Sequence, residues 1–326
     1  MTTDQSAVIP PRRKLKDKPS TTPDRLFYGI STAAAYSTIV LVVAIIFFLT
    51  LRAWPAFEQQ GLINFVFGSG WDASQETPIF HIGPMLYGSF LVAAIGVILA
   101  VPMAISIAYF IEFMAPKPVA KTTALLIDLL SAIPSVVIGL WGLTVFSPVG
   151  AHWGEMLHNT FGFLPIFQND ADNFLRTPLI AGFVVSVMIV PIIASITREI
   201  FSQIDQDLIK ASLALGGNRE STFRKVILPT AAGGIVGGVL LALGRAVGET
   251  VAIFFVLNLV FDDVNWYRII SPEGGAVASL ILARFAEGTP AEISALLAAG
   301  VVLFVFTLGI NSLASYIVAK AQPWRK

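Results

Sequence analysis

Apolar residues in this 326-residue chain fall into long runs, not into the short alternations of half-buried strands. A hydrocarbon core of about 30 Å is crossed by roughly 20 apolar residues in helix. Six runs reach that length, near 26–51, 84–114, 119–147, 177–198, 230–260 and 291–319. They predict an all-α polytopic membrane protein with six transmembrane helices. The second and third runs exceed a straight crossing and are expected to tilt or extend beyond the bilayer, with Pro102 and Pro134 as sites for kinks. The first run is too long for a signal-peptide core and no A-x-A signal follows it, so it reads as a retained anchor.

Composition agrees with this pattern. The chain is 55% hydrophobic and 13% charged, against about 25% charged in soluble domains. A net charge of zero gives no support for a nucleic-acid partner. The absence of cysteine excludes disulfides, thiolate nucleophiles and cysteine-ligated metals.

Lysine and arginine are distributed unevenly. Arg12, Arg13, Lys14, Lys16, Lys18 and Arg25 precede the first run. Lys117 and Lys121 follow the second, and Arg198, Lys210, Arg219, Arg224 and Lys225 follow the fourth. Lys320, Arg325 and Lys326 follow the last, whereas the opposite side holds only Arg52, Arg176, Arg268 and Arg284. The positive-inside rule then predicts both termini in the cytoplasm. Residues 1–25 read as a disordered basic tail near anionic lipid headgroups, and 26–322 as one membrane-embedded domain. The external loops, about 52–83, 148–176 and 261–290, carry Trp71, Phe80, Trp153, Phe161, Trp266 and Tyr267. These suit an interfacial aromatic belt, an external mouth or a partner surface.

Signatures of catalysis are missing: no G-x-x-x-x-G-K-[ST], H-E-x-x-H or G-x-S-x-G occurs. The chain is therefore not expected to be an enzyme or to carry a P-loop. His152 and His158 read as solvated loop residues, and no metal or cofactor is expected on this chain.

The fifth run contains "GRAVGET", Gly244 to Thr250. An ionisable residue at a membrane helix centre costs roughly 2.5–3.5 kcal/mol on insertion scales and is a functional candidate by default. In a continuous helix Arg245 and Glu249, four residues apart, neutralise each other. Gly234, Gly238, Glu249 and Ala252 fall within about 40° of Arg245 on the wheel. Leu241 is the bulky exception. This face permits close helix approach or leaves room for a solute. Two readings stand: a substrate pathway using Arg245 and Glu249, or an ion pair that only fixes helix packing. Asp128, Glu112, Ser131, Ser135, Asn258 and Asn311 are lesser candidates. "AIPSVVIG" is a possible hinge facing the fifth span.

Residues 200–229 between the fourth and fifth runs have their own order. Ile204, Leu208, Ala211 and Leu215 form an apolar stripe. Ser202 and Asp205 resemble a capping box, Gly216 and Gly217 stop the helix, and Asn218 caps a short basic helix that Pro229 is expected to end. A DNA-binding helix-turn-helix has a loosely similar spacing, but this loop is held to the membrane at both ends. The stripe argues against an ordinary solvated loop.

"KASLALGGNRESTFRKVILP" resembles the EAA loop of ABC-importer permeases. The spacing from Lys210-Ala211-Ser212 through Gly216 to Val226-Ile227-Leu228-Pro229 agrees throughout, with Lys for Glu, Ser for the second Ala and Val for Ile. "AIPSVVIGL", "GRAVGET", "GGAVASLI" and "LFVFTLGIN", with the long first external loop, are similar to the PstC-type permeases of phosphate importers. The likeness covers about 26–322. It implies the six-helix type I importer fold, MetI-like, in a bacterial plasma membrane, and half of a phosphate pathway containing Arg245 and Glu249. It also implies an ATPase-coupling segment of Ala211, Gly216, Gly217, Asn218, Arg219, Glu220, Ser221, Thr222, Phe223 and Arg224. The implied partners are a second, PstA-like permease, a PstB-like ATPase dimer that uses ATP and Mg, and an external PstS-like phosphate-binding protein. The alternatives are a permease for sulfate or molybdate, an ATP-independent anion transporter or channel, and a membrane subunit without a pathway.

Overall fold

A computed structural model of the chain describes residues 22–171, 173–262 and 267–321. Most of the predicted basic tail, Trp266, Arg325 and Lys326 lie outside the described residues. Two compact units divide at residue 48. The first, from 22, is a length of helix α1 (Thr22–Gln60), which continues past the boundary. The second holds everything that follows.

In the second unit α2 (Leu62–Phe67) leads into a two-stranded antiparallel hairpin of β1 (Trp71–Asp72) and β2 (Ile79–Phe80). Trp71 and Phe80 pair across it, both buried, with ring centroids 4.9 Å apart. They are core residues of the hairpin and not a membrane-interface belt. The Trp71 indole Nε1 donates to Glu292 Oε1 at 2.8 Å, 221 residues away in sequence.

Helix α3 (Gly83–Tyr109) and α7 (Pro178–Ser202) form the centre of the unit and pack against each other most extensively. Gly88, Val92, Gly96, Ala100, Ala104 and Ala108 recur every fourth residue on α3 and are buried. Such a row is one ridge of a helix surface, and its small side chains let backbones approach. The start of α7 is fixed by Pro178 in its first turn and by Thr177, whose Oγ1 accepts from Ile180 N.

Among the described residues six helical segments are long and apolar enough to cross a membrane. Two differ from the sequence pattern. The predicted 119–147 helix is broken: α4 (Lys117–Ser131) stops before Pro134, α5 (Ser135–Trp141) starts after it, and a π turn at Gly142–Phe146 leads into α6 (Ser147–Phe161). Pro134 has no N–H to offer the helix and disfavours helical geometry in the residue before it. The candidate crossing is accordingly Ser135–Phe161, so His152 and His158 lie on helix and not in a loop.

After α7 come α8 (Gln206–Ala214) and α9 (Arg219–Thr222), a π turn at Phe223–Ile227 and α10 (Leu228–Val247). The candidate crossing is Arg219–Val247, not 230–260. The chain then forms α11 (Val251–Val256), α12 (Val277–Arg284) and the long α13 (Pro290–Ala321). Part of the segment expected as an external loop is thus helix, and Val277 and Leu280 of α12 are fully buried.

Candidate transport and coupling site

The helix that carries Arg245 does not continue to Glu249. Helix α10 ends at Val247, and the Gly248 amide closes its last turn on Gly244 and Ala246 carbonyls. Glu249 lies in the gap before α11 and is 9% exposed. Its Oε1 accepts the Ala252 amide at 3.3 Å, satisfying a donor in the first turn of α11. Arg245 is exposed and has no ion pair or hydrogen bond among the described residues. The expected neutralising pair is therefore not formed. One helical turn would bring residues four apart together, but the chain leaves the helix between them. Each charge is served by a helix end instead: Arg245 by the carbonyl end of α10, Glu249 by the amide end of α11.

The glycine face is also divided. A Cβ on Gly234 would lie 2.5 Å from Ile200 Cδ1, and one on Gly238 would lie 2.9 Å from Ile196 Cγ2. These two glycines seat α10 against α7 and leave no room there for a solute. Leu241 and Arg245, farther along, are exposed. Gly244 faces α13, where a Cβ would come 3.4 Å from Asn311 Nδ2, and Asn311 Oδ1 is buried with no hydrogen-bond partner among the described residues.

The break is walled by elements that sequence reading placed only in part. Helix α5 closes on α11, where a Cβ on Gly139 would lie 2.8 Å from Ala252 Cα. "AIPSVVIG" thus faces the continuation of the fifth span. From α12, Ser279 Oγ donates to the Thr250 carbonyl at 3.2 Å. Ser279 lies within "GGAVASLI", but in the sequence that stretch carries only the resemblance and predicts no contact with the fifth span.

The lesser candidates are scattered. Asp128 forms an ion pair with Arg198 at 3.9 Å. Ser131 Oγ donates to the Asp128 carbonyl and Asn258 Nδ2 to the Pro272 carbonyl. His158 Nδ1 donates to the Phe167 carbonyl, and His152 lies 4.0 Å from Glu155. Arg268 donates to Asp170 at 2.7 Å, which holds its pKa above the usual arginine value.

The loop before α10 is sharply built. The N-cap of α8 is Asp205, whose side chain accepts from Asp207 N; Ser202 belongs to α7 and bonds Glu199 O, so the expected capping box is absent. Gly216 has φ 85°, a left-handed turn that glycine adopts without steric cost. Asn218 caps α9 by accepting from Ser221 N at 2.7 Å. Of the expected stripe only Ile204 is buried; Leu208, Ala211 and Leu215 are exposed, Leu215 at 89%. Lys210 donates to Asp207 at 3.0 Å, and Arg224 lies 3.5 Å from Glu220. Pro229 does not end the short helix. The π turn before it passes the chain directly into α10, with the Leu228 amide bonding the Phe223 carbonyl.

Residues 100–322 match the family model of binding-protein-dependent transport system inner membrane components. The chain belongs to this family. It is 33% identical to the phosphate transport system permease protein PstC 2 of Mycobacterium tuberculosis over 92% of this chain and 93% of the relative. It is 34% identical to PstC of Haemophilus influenzae over 92% and 94%. In fold it is similar to a chain of a bacterial alginate ABC transporter, with a TM-score of 0.60 and 16% identity over 92% of this chain and 96% of that one. The chain is a multi-pass membrane transport subunit with the fold of type I ABC transporter permeases.

Proposed function

We propose that this chain is the PstC-type permease of an ATP-driven phosphate importer in a bacterial plasma membrane, with both termini cytoplasmic. It forms half of the pathway, and a PstA-like permease supplies the other half. A PstS-like protein delivers phosphate outside. A PstB-like ATPase dimer, using ATP and Mg, docks on Ala211 and on the stretch from Gly216 to Arg224. The relatives' names supply the substrate, and the lysine and arginine distribution supplies the orientation.

One observation carries the pathway assignment. Arg245 is exposed and has no partner among the described residues, in the last turn of a membrane-crossing helix. Charged side chains inside membranes face the bundle interior or a water-filled cavity, not hydrocarbon. Arg245 accordingly faces an aqueous path or the second permease. Its planar fork matches a phosphate oxyanion. Discontinuous helices frame substrate sites in many secondary transporters, and the chain breaks here between Arg245 and Glu249. Glu249, four residues on, moderates the positive field so that the anion can leave as well as enter. The deciding measurement is ATP-dependent uptake of labelled phosphate by the reconstituted complex, with sulfate as competitor. Uptake that sulfate leaves intact is expected. A complex that moves no phosphate, or moves sulfate equally, overturns the reading.

A further inference from the structure

The docking segment contains an internal bond that the family pattern does not provide. Ser212, where the EAA pattern has alanine, lies 2.9 Å through its Oγ from Thr222 Oγ1. Ser212 is on α8 and Thr222 on α9, across the glycine turn. Thr222 is 2% exposed, so water does not compete effectively for this hydroxyl. Two backbone bonds support the same corner: Gly217 N donates to the Ser212 carbonyl at 3.0 Å and Thr222 N to the Asn218 carbonyl at 2.9 Å. The corner is closely packed as well, because a Cβ on Gly217 would lie 2.7 Å from the Ser212 carbonyl.

Beyond Thr222 the path leads into the membrane. Phe223, the next residue, packs at a tilt against Tyr109 with centroids 4.4 Å apart and meets Phe201 edge-on at 6.5 Å. Tyr109 ends α3 and Phe201 lies in the last turn of α7, the two central helices. The same helical run, through its π turn, reaches Arg245. Short π turns inside helices often sit at functional sites.

On the reading of the docking segment given above, we propose that Ser212 is a positioning residue for coupling. Its bond to Thr222 makes α8 and α9 one rigid piece. A push on the exposed face of α8 is delivered to Phe223 and α10, and is not absorbed by the glycine turn. Without the bond the ATPase still docks, but α9 yields and part of each stroke is lost.

The test uses the full complex in proteoliposomes and reads labelled inorganic phosphate moved per ATP hydrolysed, with ATPase retention measured by co-purification. Ser212→Ala is expected to keep the ATPase bound and to lower the ratio about two- to tenfold, the range set by the net contribution of one hydrogen bond. Thr222→Val is expected to lower it similarly, Thr222→Ser to restore it, and the double variant Ser212→Ala/Thr222→Val to be no worse than either single change. An unchanged ratio in Ser212→Ala, or losses that add in the double variant, overturns the proposal. Loss of ATPase binding in Ser212→Ala also overturns it, since the residue would then hold the interface itself. Failure of the wild-type complex to take up phosphate overturns the transport reading along with it, and is told apart by that control.

Discussion

Arg245 and Glu249 stand on opposite sides of a helix break at Gly248, and the glutamate accepts the Ala252 amide instead of the guanidinium. This relationship separates two kinds of defect. Arg245→Ala removes no bond among the described residues, so it is expected to leave the assembled complex intact while abolishing phosphate uptake. Arg245→Lys keeps the charge but loses the planar fork and is expected to retain a minor part of the rate. Uptake assays with co-purification of the partners check both. Failure of Arg245→Ala to assemble would return the residue to a packing role.

Glu249 has a structural task as well as a proposed field effect. Glutamine at 249 can still accept the Ala252 amide, so Glu249→Gln is expected to keep stability and assembly but impair turnover. Glu249→Ala loses the acceptor and is expected to cost about 0.5–2 kcal/mol, as for other helix-start caps. Thermal melting in detergent beside uptake distinguishes the two. Equal uptake by Glu249→Gln and wild type would remove the carboxylate from transport.

The glycines of α10 are not interchangeable. Gly234 and Gly238 touch Ile200 and Ile196, while a Cβ on Gly237 would meet nothing within 4 Å. Gly238→Val is expected to cost about 1–3 kcal/mol through overpacking against α7. Gly237→Ala is expected to be neutral or slightly stabilising, since alanine is favoured over glycine within helices by about 1 kcal/mol. A melting series over the two positions decides it. Equal losses at both would mean that α10 presents another face to α7.

Much of the molecule could be read from its residues, and the misses share a cause. The turn at Gly216 and the cap at Asn218 follow from local chemistry, which a short stretch of sequence contains in full. The break at Gly248 does not, because "VAIFFV" resumes the apolar run at once and hydropathy is blind to backbone direction. Trp71 is buried and bonded to Glu292, and no local pattern links residues that far apart. Pro229 was read as a stop because proline removes one amide donor. The π turn beside it carries the chain on into α10, a rearrangement that residue-by-residue propensity does not describe. The apolar stripe of α8 was legible, but whether it faces the bundle or stays open was not, since periodicity gives a face and not its neighbour.

The bond between Trp71 and Glu292 gives a prediction for the hairpin. Glu292 is 5% exposed and Trp71 8% exposed, so the carboxylate depends on the indole donor. Trp71→Phe keeps an aromatic ring against Phe80 but removes the N–H, leaving a buried acceptor at a cost of about 1–3 kcal/mol. The double variant Trp71→Phe/Glu292→Gln, which no longer buries an unpaired charge, is expected to recover part of that loss. Melting of the single and double variants measures the coupling. Strict additivity would show that the two residues do not depend on each other, and that the hairpin is held to the start of α13 by packing alone.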